Sequence, residues 1–128
     1  MIHERHFTVE EANGLLGRVE PALRSLREAR DRLTDAALHE ALSEAAPANG
    51  GGEPGREVRQ AFLEVRALLA ELQGLGIVVR DIDRGLIDFP AIRDGREVYL
   101  CWELDEGDVA FWHELESGFR GRRPLAGR

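Results

Sequence analysis

Between the apolar runs LIDFPAI and VYLCW stands Asp94-Gly95, and no other pair in the chain restricts the fold as tightly. Both central positions of a two-residue hairpin turn need positive φ, which Gly adopts freely and Asp tolerates, so the flanking runs must be antiparallel neighbours. With Arg93 opposite Arg96, Ala91 faces Val98, Phe89 faces Leu100 and Ile87 faces Trp102, which gathers the large apolar side chains on one face. A second turn around Glu106-Gly107, with Asp105 opposite Asp108, sets Leu104 against Val109, Trp102 against Phe111 and Leu100 against His113. The expected sheet is a small antiparallel meander of three or four strands over residues 76–114, opening with Ile77, Val78 and Val79. The stretch DVAFWHELE carries a competing expectation, a short helix starting at Asp108.

Upstream the apolar period is helical. Thr8 and Glu11 form a capping box, with Phe7 placed as a hydrophobic staple, so a helix is expected from about Val9. Its stripe runs Ala12, Leu16, Val19, Leu23, Leu26, Leu33 and Ala37, broken by Arg30. Pro21 lies inside the stripe, and the lost donor and ring clash predict a kink or break around Arg18 to Pro21. Residues 45–55, AAPANGGGEPG, have no periodicity and read as a flexible loop. A second helix is expected from about Glu57 to Gln73, with Val58, Phe62, Val65, Leu69 and Leu72 at the same spacing and Gly74 ending it. The fold class is therefore α+β, an antiparallel helical hairpin over residues 8–74 packed on the meander, in a single domain of 128 residues. The first helix exceeds the second, so part of its coiled-coil-like stripe is expected to seek a second subunit, giving a homodimer.

Charge and cysteine usage narrow the function classes. A formal net charge of -7, from 17 basic and 24 acidic residues, repels polyanions and speaks against nucleic acid as a partner. All the basic residues are arginine, and Arg120, Arg122, Arg123 and Arg128 crowd a Gly-rich tail over residues 118–128 that reads as solvated. The single cysteine, Cys101, forms no internal bridge. Together with a charged start and no apolar run long enough to span a bilayer, it points to a soluble cytoplasmic protein.

The face of the meander turned away from the helices holds the candidate site. The turn-derived register sets Asp88 opposite Cys101 and Cys101 opposite Trp112, with Pro90, Tyr99 and Glu114 in the next row. A carboxylate, a thiol, an indole and a phenol side by side on an open face suit a contact surface, unless a partner or the segment through Phe119 and Pro124 covers it. Metal ligation by His113, Glu116 and Asp88 is the alternative. On the preferred strand, however, His113 points into the core, and no Cys-x-x-Cys or His-Glu-x-x-His spacing is present. Asp88 beside Cys101 raises the thiol pKa, so a nucleophilic role for Cys101 is not expected. No phosphate loop or nucleophile elbow occurs.

The segments HFTVEEANGLL, GLIDFPAIRDGREVYLCW and WHELESGFRGRRPL resemble the bacterial family called domain of unknown function 2203, over nearly the whole chain apart from residues 45–55. The resemblance implies a small bacterial protein and brings no activity with it. The residues alone then support a noncatalytic interaction protein that assembles through its hairpin and sheet face, with no cofactor expected. The alternative is a small-molecule or divalent-metal site, with or without catalysis, drawn from Asp88, Glu97, His113, Glu114 and Glu116.

Overall fold

The capping box is formed as its chemistry requires. The Thr8 amide donates to Glu11 Oε1 at 2.8 Å and the Glu11 amide donates to Thr8 Oγ1 at 3.0 Å, opening helix α1 (Val9–Glu44). The computed structural model describes residues 1–44 and 53–126. Helix α2 (Glu53–Gly74) begins a turn earlier than expected and ends at Gly74 as expected. Of the loop expected at 45–55, residues 45–52 lie outside the described residues and the remainder belongs to α2.

The expected break at Pro21 does not occur, since α1 runs through it. Pro21 and Gly17, the residue whose carbonyl loses its helical donor, are both exposed, so water can satisfy the orphaned oxygen. Val19, Ala22, Leu23 and Leu26 bury the flanking turns and keep the helix continuous through the fault. The stripe also drifts from the strict heptad reading. Ala29, Ala36 and Ala61 are buried, whereas Ala37 is exposed and Phe62 is 51% exposed, the slip that 3.6 residues per turn gives relative to a 3.5-residue repeat.

The two helices pack along each other, and the length of α1 that exceeds α2 is used within the chain. Ala12, Val19 and Leu23 share one core with Phe89, Leu100 and Trp102 of the sheet. That sheet has five antiparallel strands in sequence order, β1 (Val78–Asp81), β2 (Leu86–Arg93), β3 (Arg96–Glu103), β4 (Phe111–Glu114) and β5 (Arg123–Pro124). The count is five instead of three or four because the tail expected to be solvated returns along β4, pairing Phe111 with Pro124 and Trp112 with Arg123. A 3-10 turn at Phe119–Gly121 leads into it.

The β2–β3 register is the one the Asp94-Gly95 turn dictates, from Arg93 with Arg96 through Ile87 with Trp102, and both turn residues have positive φ, 51° and 77°. The β3–β4 register is one residue off the expected pairing: Leu100 lies opposite Trp112, Tyr99 opposite His113 and Cys101 opposite Phe111. The cause is the connection, which is not a two-residue turn but the whole of residues 104–110. Leu104 and Val109 fold inward, Trp102 Nε1 donates to the Gly107 carbonyl at 2.7 Å, and Asn13 Oδ1 on α1 accepts the Val109 amide at 2.7 Å. Gly107 (φ 84°) and Asp105 (φ 74°) supply the left-handed positions. Residues 111–114 are strand, so the helix considered for that stretch is excluded. A one-residue slip exchanges the faces. Trp112 enters the core, and His113 comes to the opposite side.

Candidate functional site

That slip assembles a site from three neighbouring strands. Asp88 on β2, Cys101 on β3 and His113 on β4 all point to the face away from the helices, and a ligand atom from each lies within 4.8 Å of the others. All three are buried, at 2%, 1% and 2% exposure. The face is covered, and the segment through Phe119 and Pro124 that the sequence offered as a cover is part of what closes it. The N-terminal residues cover one side, where His3 Nε2 and Tyr99 Oη share a hydrogen bond of 2.6 Å. The C-terminal segment covers the other, with the Arg122 guanidinium 3.7 Å from the centre of Phe111 and 4.6 Å from that of Phe119.

Hydrogen bonding fixes the protonation of the site. His113 Nδ1 lies 2.7 Å from the Glu114 carbonyl and therefore donates to it. Its Nε2 lies 3.0 Å from Asp88 Oδ1, also an acceptor, so a proton must sit between them. Burial lowers the His113 pKa, but the Asp88 hydrogen bond, the Glu114 carbonyl and the Asp88 charge raise it by more, against the opposing charge of Arg80. The other oxygen, Asp88 Oδ2, accepts from Arg80 Nε at 2.8 Å. Arg80 is aimed there by a bulge: β1 and β2 pair Val79 with Ile87 and then Asp81 with Leu86, leaving Arg80 as the extra residue. Cys101 is pushed up to about 12, first by burial and then by the Asp88 charge, with Arg122 pulling the other way. The upward direction read from its carboxylate neighbour is the one found, with burial the larger cause.

The remaining sequence candidates disperse. Trp112 is in the core. Glu114 pairs with Arg96 Nη1 at 2.8 Å, and Glu116 follows β4 and reaches only the wall of the cavity at the site. Glu97 is the anchor of the N-terminus, its carboxylate accepting from the Ile2 and His3 amides at 2.8 and 2.9 Å and from His6 at 2.8 Å. Sequence reasoning missed Arg80. Closing the turn at Asp81 to Gly85 as an antiparallel pair would have set Val78 and Arg80 beside Asp88, which was the signal available.

The cavity bounded by the three buried groups has a volume of about 230 Å³ and is walled further by Arg80, Leu86 and Phe119. A larger groove of about 410 Å³ lies between the helices, lined by the buried Ala36 and Ala61 and by polar residues of which Arg32 pairs with Glu64 at 2.5 Å. Among the described residues the only cluster of three possible metal ligands is the one formed by Asp88, Cys101 and His113, away from this groove.

A family model described as "Uncharacterized conserved protein (DUF2203)" matches residues 5–125. No curated protein and no solved structure matches the chain.

Proposed function

The chain belongs to the family of uncharacterized conserved proteins designated DUF2203, and from the geometry of its buried site we propose that it binds a divalent cation of the zinc class through Asp88, Cys101 and His113. The observation that carries the proposal is the convergence of a carboxylate, a thiol and an imidazole, all buried, on the wall of one cavity. Thiolate and imidazole donors select zinc, cobalt or iron over magnesium and calcium.

The surroundings of two of the donors support this reading. The Nδ1 bond to the Glu114 carbonyl presents Nε2 for ligation, the arrangement that holds metal-bound histidines elsewhere. Arg80 holds Asp88 through Oδ2 and leaves Oδ1 as the donor. The cation takes the place of the proton between Nε2 and Oδ1 and displaces the one on Cys101, so binding releases protons and tightens as pH rises. Three protein donors are one fewer than closed structural zinc sites use.

Equilibrium dialysis of untagged, chelator-treated protein against zinc or cobalt tests the proposal. Binding of about one equivalent is expected, with a thiolate-to-cobalt charge-transfer absorption that vanishes in Cys101→Ser. Uptake below about a tenth of an equivalent would refute it.

A second reading, homodimeric assembly through the outer part of the hairpin in a noncatalytic interaction role, is favoured by four large apolar side chains left in water. Leu38, Leu42, Phe62 and Leu63 are 61%, 65%, 51% and 60% exposed. Light scattering at micromolar concentration is expected to give a dimer mass that reverts to monomer in Leu38→Glu/Leu42→Glu. A monomer mass for the natural chain would end this reading.

A further inference from the structure

The cavity continues outward from the three donors past Arg80 to walls of Leu86, Leu115 and Phe119, with Glu116 also lining it. We infer that it takes a small organic monocarboxylate, whose carboxyl group is held by the Nη groups of Arg80 beside the bound cation. The inference rests on the cation site proposed above.

Three features carry it. The first is the state of Arg80: its Nε is bound by Asp88, its plane lies over Tyr99 with Cζ 4.9 Å from the ring centre, and 41% of the side chain is exposed. The Tyr99 hydroxyl is its second side-chain hydrogen-bonding neighbour, after Asp88, and the remaining Nη N–H groups are left for a ligand. A guanidinium so oriented offers two parallel N–H donors, the fork that matches a carboxylate.

The second is charge. A dication ligated by the Asp88 carboxylate and the Cys101 thiolate consumes both negative charges, and Arg80, which otherwise balances Asp88, is left with a positive charge facing the cavity. A singly charged ligand pairs with Arg80 while adding the least repulsion against Glu116, which also lines the cavity. Phosphate, carrying closer to two, would also meet Glu116 on the cavity wall. The third is shape: about 230 Å³ lies below the roughly 300–1,000 Å³ of drug-sized ligand pockets, and Leu86, Leu115 and Phe119 offer apolar contact to a short alkyl or aryl group. Phe119 is held in place by Arg84, 4.1 Å from its ring centre, and by Arg122.

The test is titration of cobalt-loaded protein with acetate, propionate and benzoate, and in parallel with phosphate and propionamide, read by the visible cobalt spectrum and by calorimetry. The carboxylates are expected to shift the spectrum saturably and the other two to leave it unchanged. In Arg80→Gln, titrated at cobalt concentrations that saturate that variant, carboxylate affinity falls about tenfold or more, the loss expected for a charge-assisted hydrogen-bonded pair. A cobalt spectrum that carboxylates do not move, or that phosphate or propionamide moves equally, overturns the inference and leaves the cation site standing. Failure to bind cobalt at all overturns both.

Discussion

At the scale of single residues, environment reverses what side-chain type alone suggests. The Cys101 thiol, held at about 12 by burial and by Asp88, is protonated at neutral pH and 1% exposed. Iodoacetamide is therefore expected to alkylate it far more slowly than it alkylates a free thiol in the same buffer. A rate equal to the free thiol would mean that the termini do not seal this face. Glu97 is the opposite case. Burial opposes its ionisation, but the hydrogen bonds from His6 and from the Ile2 and His3 amides outweigh it and hold the carboxyl at about 2, below its ordinary 4.5. A depressed carboxylate pKa stabilises the fold fully above about 4.5 and is lost as pH falls toward about 2. Acid unfolding of Glu97→Gln should accordingly lose part of its pH dependence in that window, with faster amide exchange at Ile2 and His3. An acid limb identical to that of the natural chain would show the N-terminal anchor to be energetically idle. His113, raised above its ordinary 6.5, contributes in the other sense, with stability present below that value and lost as pH climbs through the folded pKa.

At the scale of elements, the connection from β3 to β4 decides which residues meet. It is held by Trp102 Nε1 on the Gly107 carbonyl and by Asn13 Oδ1 on the amide of the buried Val109. Asn13→Ala would leave that amide without an acceptor, at a cost of about 1–3 kcal/mol, whereas Asn13→Asp keeps the acceptor and should cost less. Denaturant titration of the two variants checks the difference, and equal loss in both would remove the hydrogen bond from the explanation. The same connection marks the limit of what the sequence revealed. The helical hairpin, the capping box, the end of α2 and the β2–β3 register were all legible because each is set by local chemistry: a cap, a stripe, or a turn with two positive-φ positions. The β3–β4 register was not, because Glu106-Gly107 resembles a tight turn, while Asn13, distant in the chain, and the inward fold of Leu104 and Val109 favour a longer loop. That single slip hid the site. The Asp94-Gly95 turn places Asp88 opposite Cys101 as the structure does, but a tight turn at Glu106-Gly107 puts His113 in the core and Trp112 on the outer face, and the structure exchanges the two. The fifth strand escaped for a related reason: Arg-Gly composition describes a solvated tail, and only the aromatic surfaces of Phe111 and Phe119 give Arg122 somewhere to stack.

At the scale of the whole molecule, the sheet is covered on both sides but unequally. The helices bury one face in a continuous apolar core, whereas the other is closed by the two chain ends over a buried cluster in which Asp88 meets both Arg80 and His113. Buried ion pairs contribute little net stability, because desolvation offsets most of their attraction, so this face is the weaker side of the fold. A cation ligated by Asp88, Cys101 and His113 would join β2, β3 and β4 across that side. By linkage, a ligand that binds only the folded chain at about 100 times its Kd adds about 2.7 kcal/mol. For a chain of 128 residues that corresponds to a rise in Tm of roughly 10 °C. Zinc is expected to give that rise in the natural protein and almost none in Asp88→Asn or Cys101→Ser. Hydrogen exchange should slow mainly in β2, β3 and β4, leaving the outer turns of the helical hairpin unchanged. Stabilisation that survives in both variants, or protection spread evenly over hairpin and sheet, would place any bound zinc elsewhere and leave this face held by its chain ends and its ion pairs alone.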